Sequence, residues 1–145
     1  MYTMGIDVGS ASSKAVILRD GKAVVAGLAV QAGTGSSGPG RVLEEIAAVS
    51  GLDLKDMAFI LATGYGRTAL PMANKQMSEI TCHAKGVFFQ DPSVRTIIDI
   101  GGQDVKAIAL DDRGGIRQFY MNDKCAAGTG RFLEVMARVL EVPLE

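Results

Sequence analysis

The sequence predicts an α/β protein of two related lobes, with the second lobe cut short. Three observations carry this reading. Two apolar meanders about ninety residues apart open with strands that end in glycines and an acid, Gly5-Ile6-Asp7-Val8-Gly9-Ser10 and Asp99-Ile100-Gly101-Gly102-Gln103-Asp104. A helical pattern follows each meander. One further strand and one further helix lie between them, so three strands, helix, strand, helix is followed by three strands and a helix, the mark of an internal duplication.

Each element follows from local pattern. Tyr2 to Val8, Ser13 to Arg19 and Ala23 to Val30 are apolar stretches rich in β-branched residues, with Asp20-Gly21 as the tight turn between the second and third. After the loop Gly33 to Gly40, Val42, Ile46 and Val49 recur at helical spacing and Gly51 supplies a stop. Met57 to Ala62 forms a strand ending at Thr63-Gly64-Tyr65-Gly66-Arg67. A helix then places Ile80, Ala84, Val87 and Phe88 on one face and ends at Asp91-Pro92. The second meander runs through Thr96 to Ile100, Val105 to Leu110 and, after Gly114-Gly115, Ile116 to Met121. From Thr129 onward, Phe132, Leu133, Met136, Val139 and Leu140 line a helix face, and Pro143 lies beyond it. The expected lobes are residues 1–93 and 94–145.

Composition narrows the function classes. At 145 residues with 48% hydrophobic and 21% charged residues the chain has enough apolar material for a packed core. The formal net charge of -1 offers no electrostatic footprint for nucleic acid. The N-terminus reaches Asp7 and Gly9 before any long apolar run, so no secretory or transit signal is expected and the cytoplasm is the default location. The uncharged stretch 23–40 is broken by Gln31, Ser36, Ser37 and glycines, so no membrane span is expected. Two cysteines, Cys82 and Cys125, are expected to be reduced, which leaves ligation or burial as their roles.

The two glycine-acid turns carry the chemistry. An aspartate at a strand end can orient a hydrated cation, and glycines let backbone N–H groups approach a phosphate. In the first turn, Gly9, Ser10, Ala11, Ser12, Ser13 and Lys14 supply hydroxyls, N–H groups and a cation, and Asp7 supplies the acid. In the second, Gly101, Gly102 and Gln103 supply N–H groups and Asp104 the acid. Either turn alone reads equally as a hairpin loop of small residues. At matching places in a duplicated fold, they point to a nucleoside triphosphate with Mg²⁺.

Three other motifs stay open or fall away. Gly33-Thr34-Gly35-Ser36-Ser37-Gly38 fits the dinucleotide pattern, yet it follows the third strand of a meander, and the next parallel strand ends in Thr63-Gly64 with no acid for a ribose. No P-loop sequence is present. Cys125 sits in Asn122-Asp123-Lys124-Cys125-Ala126-Ala127-Gly128-Thr129-Gly130, just before a helix whose dipole, with Lys124, favours thiolate; it reads either as a ligand or as a small buried hydrophobe. Cys82 and His83 read as structural residues of their helix, and Arg67 as either a phosphate contact or a solvated side chain.

Taken together, Gly5 to Ser10, Ala62 to Arg67, Asp99 to Asp104 and Asn122 to Gly130 resemble the ATP-dependent activators of 2-hydroxyacyl-CoA dehydratases, relatives of the ATPase subunits of benzoyl-CoA reductase. The resemblance implies an α/β fold of the actin/hexokinase/DnaK type, with ribonuclease H-like lobes, mixed sheets and a three-strand meander. It implies ATP and Mg²⁺ as ligands, with Asp7 and Asp104 as the acids. It further implies a homodimer sharing one [4Fe-4S] cluster, Cys125 being one of two ligands per subunit and the other lying further along the chain in relatives. The implied partners are a 2-hydroxyacyl-CoA dehydratase and an electron donor such as ferredoxin or flavodoxin. ATP binding and hydrolysis would then drive one-electron delivery to the dehydratase. A sugar- or acid-kinase-like phosphotransferase and a non-catalytic half of such an ATPase are the alternative readings.

Overall fold

The computed structural model describes residues 1–122 and 129–143. The chain divides into two compact units, Met1–Glu79 and Ile80–Glu145, and each is described by itself.

In the first unit, β1 (Tyr2–Val8), β2 (Ser13–Arg19) and β3 (Ala23–Val30) form the expected antiparallel meander. Asp20 and Gly21 both take positive φ, 54° and 69°, the conformation that a right-twisted two-residue hairpin needs. β4 (Met57–Thr63) pairs in parallel with β1, and the short β5 (Lys75–Gln76) pairs with β4, giving a mixed sheet in the order β3-β2-β1-β4-β5. Alternation decides which side is buried: Met4, Ile6 and Val8 of β1 point to the same face as Ala15 and Ile17 of β2 and Ile60 and Ala62 of β4. Helix α1 (Gly38–Ser50) covers that face with Val42 and Ile46. Its last turn reaches past the core, so Val49, expected on the buried stripe, is 71% exposed. The left-handed Gly51 then ends the helix through its N–H to the Ala47 carbonyl.

In the second unit, helix α2 (Glu79–Gln90) lies with β6 (Thr96–Ile100), β7 (Val105–Leu110), β8 (Ile116–Asn122) and helix α3 (Gly130–Leu140). The three strands are antiparallel in the order β6-β7-β8. A small core joins Ala84 of α2 to Ile108 and Leu110 of β7, with Ile80, Phe88 and Ile97 packed against it. The helical pattern from Thr129 is borne out as α3, but its expected buried stripe is not: Phe132, Leu133, Val139 and Leu140 are all exposed, as is every residue of β8. Periodicity dictates the helix; burial of its stripe needs a covering element that the described residues do not provide.

The core of the first unit is where the fold's stability concentrates. Ile46→Ala removes a fully buried side chain between α1 and the sheet and is expected to cost about 2–5 kcal/mol, whereas Val49→Ala costs under about 0.5 kcal/mol. Urea denaturation of the two variants checks the contrast.

Candidate functional site

The loops that join the strand ends are built alike in the two units. Between β1 and β2 the chain turns over Gly9 to Ser12, closed by the Gly9 N–H donating to the Ser12 carbonyl at 3.0 Å. Between β6 and β7 it turns over Gly101 to Asp104, closed by the Gly101 N–H donating to the Asp104 carbonyl at 2.8 Å. Among the described residues, the N–H groups of Ser10, Ala11 and Ser12 donate to no backbone or side-chain acceptor, nor do those of Gly102 and Gln103. A run of unspent amide donors at a strand end has the chemistry of a candidate anion cradle.

At the first turn, sheet register places three polar side chains in one row. Lys14 pairs with Asp7 across β2 and β1, and Asp7 pairs with Thr63 across β1 and β4, so all three project from the face opposite the α1 core. Lys14 Nζ donates to Asp7 Oδ2 at 3.0 Å in a partly open ion pair. Thr63 is buried, and its Oγ1 has no hydrogen-bond partner among the described residues. Gly64 follows with φ +84°, and a Cβ there would strike Asp7 Oδ1 and the Val8 carbonyl. The backbone of the Thr63–Arg67 loop therefore lies directly against the acid, held by the Gly66 N–H to the Val8 carbonyl at 2.8 Å. Arg67, left open by the sequence, donates to the Gly64 carbonyl at 2.9 Å and approaches Glu79 at 3.8 Å.

The third loop, Gly33 to Gly38, buttresses this turn. Thr34 N–H donates to the Gly9 carbonyl at 2.8 Å, and a Cβ on Gly33 would run into the Ser10 carbonyl. Gly33 and Gly38 serve close backbone packing, Gly35 a left-handed φ of 75°, and β3, which precedes the loop, is not a neighbour of β4 in the sheet. Ser13 also turns away from the cradle: it is fully buried, and its hydroxyl donates to the Ala32 carbonyl at 2.8 Å. Ser10, Ser12, Lys14 and Asp7 are thus gathered around the first cradle; Ser13 supports it from below.

The second turn has an ionic underside that the sequence did not disclose. Asp104 is 2% exposed and its Oδ1 accepts from Lys106 Nζ at 2.6 Å; Lys106 is itself 3% exposed. Lys106 Nζ also lies 3.7 Å from Asp99 Oδ2, which meets His83 Nδ1 at 2.8 Å. The His83 hydrogen bond, with the charges of His83 and Lys106 and against partial burial, holds the Asp99 carboxyl below the usual carboxylate range. Gly130 N–H at the start of α3 donates to the Gly101 carbonyl at 2.9 Å. Alternation along β7 puts Lys106 inward with Ile108 and Leu110, the one signal that could have exposed this cluster in advance. His83, read as structural, is part of it. Cys125 lies outside the described residues, and among those described no group of three or more His, Cys, Asp or Glu side chains is arranged to hold a metal ion.

The topology is that of the actin/hexokinase-type ATPase fold, as the resemblance implied. The model of the BadF/BadG/BcrA/BcrD ATPase family matches residues 4–145, and the chain belongs to that family. It is 69% identical over 145 residues to the activator of lactoyl-CoA dehydratase of Anaerotignum propionicum, covering 100% of this chain and 56% of that protein. Among solved structures, the activator of the 2-hydroxyisocaproyl-CoA dehydratase from Clostridium difficile with bound ADPNP superposes with a TM-score of 0.96 at 55% identity, covering 99% of this chain and 53% of that one. Component A of the (R)-2-hydroxyglutaryl-CoA dehydratase of Acidaminococcus fermentans gives 0.93 at 58% identity, covering 99% and 55%. The chain spans about half the length of the relatives it matches.

Two outcomes follow. Gly64→Ala must both adopt a left-handed backbone and displace Asp7, so it is expected to destabilise the first unit by more than about 1 kcal/mol in a denaturation experiment. Because the folded-state pKa of Asp99 is depressed, its contribution to stability is present above the unfolded value near about 3.9 and is lost as pH falls through the folded value. Asp99→Asn should therefore flatten the acid limb of the stability profile measured by thermal melts between about pH 5 and pH 2.

Proposed function

We propose that the intact protein is an ATP-dependent one-electron donor that activates a 2-hydroxyacyl-CoA dehydratase. One observation carries the nucleotide part: both turns are closed by the same glycine N–H to carbonyl bond, and the N–H groups of Ser10, Ala11 and Ser12 in one and of Gly102 and Gln103 in the other have no acceptor among the described residues. The names of the relatives, at 55–69% identity, supply the dehydratase.

At the first turn, phosphate oxygens accept from the N–H groups of Ser10, Ala11 and Ser12 and from the hydroxyls of Ser10 and Ser12, while the Gly9 N–H keeps the turn closed. Lys14, paired with Asp7 in the free chain, gains a second anion in the triphosphate and bridges the two charges. At the second turn, Gly102 and Gln103 present their N–H groups, and Gly101 closes the turn through its own. Asp7, partly open and beside the orphan Thr63 hydroxyl, fits a hydrated Mg²⁺; when bound, the cation neutralises charge on the phosphates. Asp104 was expected to share that task, but its carboxylate is buried against Lys106, and its part in this reading is to shape the turn.

The same reading includes a homodimer with a shared [4Fe-4S] cluster, for which Cys125 is the candidate ligand; the cluster would supply the low-potential electron. Ferredoxin or flavodoxin is the class of donor that would refill it.

The reading is tested on the intact protein. Asp7→Ala is expected to lower the rate of Mg-ATP hydrolysis by on the order of a hundredfold or more, the size of effect seen when one preorganised electrostatic group is removed. Anaerobic iron reconstitution of Cys125→Ser should abolish the cluster absorption that the parent protein shows. An unchanged spectrum would defeat the ligand assignment.

A further inference from the structure

Lys106 stands where the strand pattern asks for an apolar residue. On β7 it alternates inward with Ile108 and Leu110, both in the core of the second unit, and it is as buried as they are. Burying an ammonium costs several kcal/mol before pairing, and replacing a buried ion pair by apolar residues of similar volume is often neutral or stabilising. Stability alone therefore does not account for this pair. Local rules broken at one point of an otherwise consistent fold mark a functional constraint.

What Lys106 holds is the underside of the second cradle. Its Nζ takes Asp104 Oδ1 at 2.6 Å, and that oxygen lies 2.6 Å from where a Cβ on Gly101 would sit, so the carboxylate is wedged beneath the glycines. The carbonyl of Asp104 closes the turn by accepting from Gly101 N–H. On its other side Lys106 faces Asp99 Oδ2 at 3.7 Å, and Asp99 is oriented by His83 Nδ1 at 2.8 Å. One buried cation thus stands between the acid that begins the turn and the acid that ends it.

The geometry points to Lys106 as a positioning residue for nucleotide binding: it fixes the Gly101–Gln103 backbone, by way of Asp104, in the shape that presents its N–H groups to phosphate. Lys106 touches no substrate; it acts through the turn. This inference rests on the ATPase reading given above. It adds that the pair Lys106–Asp104 serves the cradle and not the stability of the fold, which separates it from an ordinary buried salt bridge.

The test uses the intact protein, comparing the parent with the double substitution Lys106→Met with Asp104→Leu and with Lys106→Arg. Melting temperature and the steady-state kcat and KM for Mg-ATP hydrolysis are measured for each. The double variant is expected to melt at or above the parent, with KM raised and kcat/KM lowered on the order of a hundredfold, as a misplacement of about 1 Å does elsewhere. Lys106→Arg keeps the charge but cannot reproduce the single-point geometry, and it should show a smaller kinetic loss in the same direction. A double variant that folds and keeps the parent's kcat/KM overturns the proposal. If the double variant fails to fold, Lys106→Arg decides: raised KM at an unchanged melting temperature supports the role, and parental kinetics overturn it. A parent protein that does not hydrolyse Mg-ATP removes the ATPase reading and this inference with it, a result distinct from active parent and unaffected variants.

Discussion

The parallel pairing of β1 with β4 is the constraint on which the first cradle depends. It sets Asp7 opposite Thr63, so the loop that leaves β4 must pass directly over the end of β1. The passage is tight enough that Gly64 has no room for a side chain and Gly66 bonds back to Val8. With β4 fixed on one side and the Gly33–Thr34 segment fixed on the other, the Gly9–Ser12 turn is held between two backbones. Its remaining N–H groups find no acceptor among the described residues. A loop so braced pays little entropy when an anion arrives, and preorganisation of that kind is how binding strength is gained without new contacts.

The described residues of the second unit brace their turn with buried charge. No parallel strand flanks its turn among the described strands; the sheet there is a plain three-strand meander. Support comes instead from the ionic group of Asp104, Lys106, Asp99 and His83 below the glycines, and from the first N–H of α3 bonding to Gly101. Among the described residues, backbone packing braces the first turn and buried charge underlies the second, and both turns share the closing hydrogen bond.

Much of this was legible in the sequence because it rests on short-range pattern. The ends of β1, β2 and β3, the hairpin at Asp20-Gly21, the start of β7 and the existence of all three helices follow from alternation, helical spacing and turn chemistry. β5 escaped notice because two polar residues, Lys75 and Gln76, carry no pattern and are recruited only by the edge of β4. Val49 and the α3 stripe show the limit of periodicity, which says which face of a helix is apolar and not what lies against it. The site divides in the same way. Asp7, Ser10, Ser12 and Lys14 could be read from their spacing, whereas the inward turn of Ser13 and the charge cluster around Lys106 depend on contacts between residues distant in sequence. Gln103 and Asp104 look alike on paper as polar residues after two glycines; only the fold separates an exposed Gln103 from a buried Asp104.

The central claim is that the unspent amides of the two turns are phosphate donors. Residue-resolved amide hydrogen exchange on the intact protein, with and without Mg-ATP, tests it most directly. The account predicts that nucleotide slows exchange at Ser10, Ala11, Ser12, Gly102 and Gln103, the turn amides with no acceptor among the described residues. Unaltered exchange at these five positions under saturating nucleotide, with protection confined to other loops such as Gly33–Gly38, would contradict it.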